Sequence, residues 1–507
     1  MSIRYIRHTN RPPCSDDLSN AHQNILSTLQ TEARHVQNQR AKSRTGSVYV
    51  GITGAAMMAH HLSTHPLPGL APADLLTFAD ARLADALNLS PTSLSSPKSG
   101  SHSSFLETAV GIATLILIRA MESASTAELE NGVVTNITCL GDSWTACAQL
   151  VRSATKLVAS EDRWRDADDD SGCEVLYGRA GLLYALLRLR DASRRATNAK
   201  FNASESDLET TVSALSSDDT ILLLVQSIIR RGEAGAAAYA AELAGRIPAP
   251  PPLMWSWYGK RYIGAAHGVA GILHILLLCP AHIIRPYMGS ILRTVEWLIG
   301  CQDAHGNWPS AAPRLSDYDG TTSSGKELVQ WCHGASGVLL LLCTVLRCAT
   351  PASPAALLEK VITSVQAAAA LVYRHGLLAK GIGLCHGVAG SVFALIAVSD
   401  VLDRARSADN NKIKGVISNG APRGDGGSYY LVRAVHLAQL AAGHKSLITR
   451  GEMRVPDHPW SLYEGLAGMC CAWAEVLRRL GAEEGRQFER SGMPGFDDVE
   501  GDSWASW

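Results

Sequence analysis

Lys380-Gly381-Ile382-Gly383-Leu384-Cys385-His386-Gly387-Val388-Ala389-Gly390 is the stretch on which the reading of this chain turns. It sets a thiol and an imidazole on adjacent residues, ahead of two glycines three apart, and runs into the apolar segment 391–398. Glycines so placed let a turn pass close to neighbouring backbone before a helix opens. Upstream, Trp331-Cys332-His333-Gly334-Ala335-Ser336-Gly337 repeats the pattern and leads into the apolar run 338–342. Glycine, two residues, glycine and an apolar helix recur at Gly51/Gly54, Gly178/Gly181, Gly268/Gly271 and Gly465/Gly468, with a degenerate copy at Thr108/Gly111. One such pair reads as a tight turn. Seven copies, about 50 to 90 residues apart, predict one helical hairpin per repeat with variable loops.

A repeat architecture grows as one body, so the 507 residues need not divide into domains. Hydrophobic content of 46% supports a large core. A net charge of −1 points to no polyanionic partner, and no basic stripe with interleaved aromatics suggests nucleic-acid binding. The opening MSIRYIRHTNRPPCSDD lacks an apolar signal core, and Ser2 excludes N-myristoylation. The apolar runs 337–343 and 272–279 are too short to span a bilayer, so no transmembrane segment is expected; peripheral association at the plasma membrane stays open. The twelve cysteines then read mostly as reduced core residues of a cytoplasmic protein.

Taken in order, residues 1–20 are expected to be a flexible N-terminus and 21–482 the helical body. Within it, helices are expected over 21–42, 74–87, 145–159, 220–231, 282–300, 354–375 and 429–442. A Ser/Pro-rich flexible loop is expected over 88–104 and a solvated acidic loop over 162–171. Polar inserts near 191–219 and 404–428 should hang off the body, and 483–507 reads as an acidic, partly disordered tail.

If the repeats form a ring, their glycine ends share one mouth, where Cys332, Cys385 and His386 converge. Two thiolates and an imidazole suit zinc, and three protein ligands leave a fourth position open, the mark of a catalytic site. The alternative is two buried cysteines and a capping histidine. His267 shares the repeat position of His333 and His386, where it could carry a proton at neutral pH or simply cap a helix. Lys380 and Arg454 could hold carboxylates and Asp457 an amino group, the set that a thiol peptide such as glutathione presents; each also reads as a solvated surface charge. His60, His61, His274 and His375 read as surface or packing residues.

WCHGASG at 331–337, KGIGLCHGVAG at 380–390, YIGAAHGVAG at 262–271, LYGRAG at 176–181 and RVPDHPWSLYEGLAG at 454–468 resemble the LanC-like family, eukaryotic relatives of the bacterial lanthionine cyclases. The resemblance runs from about Val48 to Gly468. It implies an all-α fold, an α/α toroid of seven helical hairpins with zinc at one mouth. It makes Cys332, Cys385 and His386 the zinc ligands, places glutathione against Lys380 and the Arg454-to-Asp457 segment, and casts His267 as an acid/base. Glu174 stands where the cyclases carry an acidic residue, and His333 where the eukaryotic branch has histidine. Thr108 departs from the pattern and makes its hairpin less secure; Gln330 replaces a common histidine.

The implied activity is addition of the glutathione thiolate, held by zinc, to dehydroalanine or dehydrobutyrine in a peptide or protein, giving a C–S thioether. His267 or His333 would protonate the resulting enolate. Two other classes compete. One is a glutathione-binding sensor or adaptor with structural zinc. The other is a toroid glycosidase or isoprenoid transferase; a glycosidase needs two carboxylates flanking a cleft, and Glu174 and Glu464 read as the only acidic residues at repeat positions.

Overall fold

The computed structural model describes residues 4–39, 45–64, 66–89, 97–126, 143–164, 170–196, 203–243, 250–314, 328–349, 353–403, 428–481 and 492–500. Seven inner helices open at the repeat turns: Ile52–Ser63, Ala109–Thr126, Arg179–Ala196, Val269–Leu277, Ala335–Arg347, Val388–Val398 and Leu466–Leu480. They are buried on nearly every face, as helices surrounded by the rest of the fold are. Outer helices cover them. Pro72–Asn88, Ser143–Trp164, Asp218–Glu242, Met288–Gly300, Ala355–His375 and Tyr429–Ala442 each follow their inner helix. The last inner helix is covered by Ser15–Asn38, from the opposite end of the chain. That helix buries Ala21, Ile25, Leu29, Ala33 and Val36, one stripe at helical spacing.

The turns are laced into a closed circuit. Tyr49 N–H donates to Leu106 O, Ser104 N–H to Tyr177 O, and Val175 N–H to Ala266 O. Gly264 packs on the Cys332 carbonyl. Trp331 N–H donates to Cys385 O, Cys385 N–H to Tyr463 O, and Tyr463 N–H back to Tyr49 O. A ring of helical hairpins, an all-α toroid, is therefore formed. The second glycine of each repeat is obligatory: a Cβ there would run into the carbonyl oxygen six residues earlier, Ala265 for Gly271 and Trp331 for Gly337. Thr108 does not weaken its hairpin. Its hydroxyl donates to Ser104 O at 2.6 Å and accepts from Val110 N–H at 3.3 Å, so it caps the helix that glycine merely permits elsewhere.

Several expectations need correction. Within the N-terminus expected to be flexible, residues 4–8 pair with the segment after Ala355–His375. Ala379 N–H donates to Arg4 O at 3.0 Å and Ile6 N–H to Leu377 O at 2.7 Å, while Tyr5 stacks on His375. The insert near 191–219 does not hang free. Asp191 is buried, and a helix over Ala203–Leu215 buries Leu208, Val212 and Leu215 against the ring. Residues 197–202 of it lie outside the described residues. The acidic run is partly structural: Asp162 pairs with Arg230 and Arg231, and Asp170 with Arg261 at 2.6 Å. The helix expected to end at 231 continues to Glu242 through an alanine-rich stretch. The insert 404–428, except Ser428, lies outside the described residues.

The tail expected over 483–507 contains an ordered stretch, 492–500, which fills the centre of the ring. Phe496 is fully buried, stacked on His274 at 4.2 Å and edge-on to Trp331 at 5.2 Å. Asp498 accepts from Tyr184 Oη at 2.5 Å and from Arg188, and Asp497 pairs with Arg347 at 3.0 Å. The rest of that tail lies outside the described residues. The described cysteines are free thiols. Two helical stretches, Ser206–Glu242 and Ala355–His375, are long and apolar enough to cross a membrane by length and composition, contrary to the shorter runs noted above; each is half buried.

Candidate functional site

Because the turns all sit on one side of the ring, the residue before each first glycine position falls on a circle around the mouth. In chain order these are Val50, Glu107, Tyr177, His267, His333, His386 and Glu464. Glu107 escaped the sequence reading because its repeat begins with threonine, so Glu174 and Glu464 are not the only acids at repeat positions. One residue further back come Tyr49, Leu106, Leu176, Ala266, Cys332, Cys385 and Tyr463. The circuit of turns thus delivers two cysteines to adjacent places and a histidine beside the second.

The ligand atoms of Cys332, Cys385 and His386 lie within 4.8 Å of one another. Both cysteines are buried, at 9% and 3% exposure. A hydrogen bond from Cys385 holds the Cys332 thiol below its ordinary range, while burial lifts Cys385 well above it. Two thiols this close share a proton that a soft dication can displace. The buried Tyr49 hydroxyl lies beside Cys385; burial first, then the cysteine charges, keeps it protonated. Beyond His386, Glu464 Oε1 lies 3.9 Å from Nε2, and its Oε2 lies 2.8 Å from His458 Nδ1. The donor set and its carboxylate support suit a zinc-sized cation with one open position.

A cleft of about 470 Å³ opens over this cluster. Its lining includes Cys332, Cys385, His386, His267 and His333, together with three cations, Arg4, Lys380 and Arg454. Lys380 and Arg454 were expected there. Arg4 was not, since only the pairing of the N-terminal arm with 377–379 brings it in, and no local pattern announces that pairing. Asp457, a candidate from sequence, is exposed and outside the lining.

His267 is held from two sides. Its Nδ1 lies 3.1 Å from Glu174 Oε2, and its ring stacks on Trp257 at 3.8 Å. Glu174 is 1% exposed and also accepts from Leu176 N–H at 2.8 Å and Tyr177 N–H at 2.9 Å. Burial pushes its carboxyl up, against the pull of His267 and those two amides. Glu174 therefore orients His267 from behind and does not reach the cleft. His333 is different: burial, then the charges of His267 and Lys380, push its imidazole down to about 4, and its Nδ1 has no hydrogen-bond partner among the described residues. It is a neutral imidazole at pH 7. His60, against Glu122 at 2.8 Å, and the fully buried His274 are packing residues, as read from sequence.

A toroid of helical hairpins whose turns gather two thiols and an imidazole under a basic cleft defines a narrow class. The chain belongs to the lanthionine synthetase C-like family, whose model matches residues 122–480. It is 25% identical over 306 residues to Glutathione S-transferase LANCL1 of Danio rerio, covering 60% of this chain and 59% of that protein. It is 26% identical over 312 residues to LanC-like protein GCL1 of Arabidopsis thaliana, covering 60% and 55%. The chain thus spans somewhat over half the length of these curated relatives.

Proposed function

We propose that the protein joins the thiol of glutathione to an electrophilic alkene, a dehydroalanine or dehydrobutyrine residue in a peptide or protein, within a reducing cytoplasmic compartment. The observation that carries this reading is one cleft lined both by the Cys332–Cys385–His386 cluster and by Arg4, Lys380 and Arg454. Glutathione brings two carboxylates and a thiol to such a cleft, and the name of the Danio rerio relative supports the choice.

Cys332, Cys385 and His386 would hold zinc, which when bound supplies a Lewis acid that lowers the pKa of an incoming thiol. Arg4, Lys380 and Arg454 hold the carboxylates, so the thiol is delivered in one orientation. Sulfur adds to the alkene carbon remote from the carbonyl (the β-carbon), the π electrons move toward the carbonyl, and the α-carbon takes up a proton. In this reading His267 gives that proton from Nε2; its support is the Glu174 carboxylate, which engages Nδ1 and fixes the ring. His333, neutral, offers a hydrogen bond to the acceptor's carbonyl rather than a charge.

The test is single-turnover mass spectrometry of zinc-loaded protein with glutathione and a dehydroalanine peptide, beside Cys332→Ala, Cys385→Ala and His267→Ala. A glutathione adduct that disappears with either cysteine supports the reading. Bound glutathione without any adduct would instead favour a glutathione sensor.

A further inference from the structure

On the far side of His267 from the cysteines, the mouth of the ring carries an aromatic shelf. Trp257 stacks on His267 at 3.8 Å, Tyr177 lies parallel to Trp257 at 6.2 Å, and Tyr258 meets Trp257 edge-on at 4.7 Å. Tyr258 stands 79% exposed, the most exposed large apolar side chain described. It sits at the first corner of a two-residue turn, in which Trp257 and Lys260 exchange both backbone hydrogen bonds. Its φ is +47°, followed by Gly259 at +67°. Asn and Gly are the residues that fill such corners; a tyrosine there is held in a backbone conformation that residues with a Cβ rarely adopt. Among the described residues, nothing covers the face that Tyr258 presents.

The shelf is continuous with the cleft through His267, and its charge is the opposite of the cleft's other wall. Arg4, Lys380 and Arg454 lie across the mouth. On the shelf side, burial first, then the neighbouring Glu107 and Glu174 carboxylates, raises the Tyr177 hydroxyl above its ordinary range. Glu107 meets the Ser47 hydroxyl, and among the described residues no lysine or arginine pairs with it. Arg261, following the turn, is already held by Asp170 and Glu242; Lys260 is exposed.

We infer that the Glu107–Tyr177–Trp257–Tyr258 shelf is the acceptor subsite, and that it selects electrophilic residues flanked by lysine or arginine in an extended peptide. This rests on the function proposed above and names the substrate side of the same site. Aromatic faces and a carboxyl group with no lysine or arginine partner among the described residues together form a receptor for a guanidinium or ammonium group. The opposite wall repels that group and is engaged by an anionic thiol peptide, so the two substrates sort themselves by charge. Burial first, with the nearby Glu464 charge, lifts the Glu107 carboxyl to about 7 against the pull of the Ser47 hydroxyl and His458, and a cation settling beside it would favour its ionised form.

Two measurements separate this inference from the function beneath it. The first is fluorescence anisotropy of labelled peptides in which alanine replaces the electrophile, flanked by lysines, glutamines or glutamates. Lysine-flanked peptide should bind about tenfold or more tightly than glutamate-flanked peptide, with glutamine between. Glu107→Gln should shrink that ratio several-fold, and Tyr258→Ala should weaken the lysine peptide, while calorimetry shows glutathione affinity intact in both. The second is the KM of dehydroalanine peptides with the same flanks, which should follow the same order. Equal binding of all three peptides, or a preference untouched by Glu107→Gln, overturns the subsite. Selective binding with no adduct on any peptide leaves the subsite standing and removes the proposed activity. Adducts formed with one KM for all flanks do the reverse.

Discussion

Glu174 Oε2 lies 3.1 Å from His267 Nδ1, and the same carboxylate is pinned by the N–H groups of Leu176 and Tyr177 in its own turn. The histidine belongs to one repeat and the carboxylate to its neighbour, so the contact links adjacent hairpins as well as fixing a ring. Glu174→Gln puts an amide NH2 where a backbone N–H already points. Adduct formation should slow about tenfold to hundredfold in kcat, with KM for glutathione unchanged, and His267→Ala should cost about 10²–10⁴. A Glu174→Gln change confined to KM would show that the pair does not serve proton transfer.

The cysteine pair should be inseparable in metal binding. Cys332→Ala and Cys385→Ala should each abolish stoichiometric zinc, measured by plasma mass spectrometry of protein purified in zinc-containing buffer. Gln330→Ala, although 3.5 Å from the Cys332 sulfur, should keep the metal. Retention of zinc by either cysteine variant would place the ion elsewhere.

The N-terminal arm predicts an acid sensitivity. His8 Nε2 lies 2.8 Å from Tyr373 O, and the Tyr373 hydroxyl lies 2.7 Å from His436 Nδ1. Burial, then the neighbouring His8, pushes His436 down to about 4. An unfolded histidine titrates near 6.5, so between about 6.5 and 4 the unfolded chain binds the extra proton. This contribution to stability is full above that window and is lost as pH falls through it. His436→Gln should flatten the fall in melting temperature between those pH values. Arg4→Ala, at neutral pH, should weaken glutathione binding about tenfold by calorimetry, without changing the melting temperature appreciably.

Phe496 packs between His274 and Trp331 with no exposed surface. Phe496→Ala should cost about 3–5 kcal/mol in denaturant unfolding. Since Trp331 immediately precedes Cys332, zinc should also be released faster to a chelator. A stability loss under about 1 kcal/mol would mean the segment 492–500 is not seated in the ring.

What could be read from sequence was local. Each glycine pair announces its own turn and helix, so seven repeats disclose the ring, and two Cys-His steps at one repeat position disclose the gathering of Cys332, Cys385 and His386. What could not be read was non-local or disguised. Arg4 reaches the cleft only through backbone pairing with residues about 375 positions away, which leaves no periodic trace. Glu107 was hidden because threonine caps its helix in place of glycine. Asp457 has the right charge next to the right motif, yet its turn faces solvent. The stretch around Phe496 looked like a polar tail because its glycine, proline and acids outweigh three buried apolar residues, Met493, Phe496 and Val499.

The segment that fills the ring's centre follows every hairpin in chain order, and that sets a sequence of assembly. Chains fold from the N-terminal side as they are made. All seven hairpins can close while the centre is still hollow, with Trp331 lacking Phe496 beneath it. The support under Cys332 therefore forms after the hairpins, and a chain interrupted between Leu480 and Met493 would leave the Cys332–Cys385–His386 cluster unbuttressed.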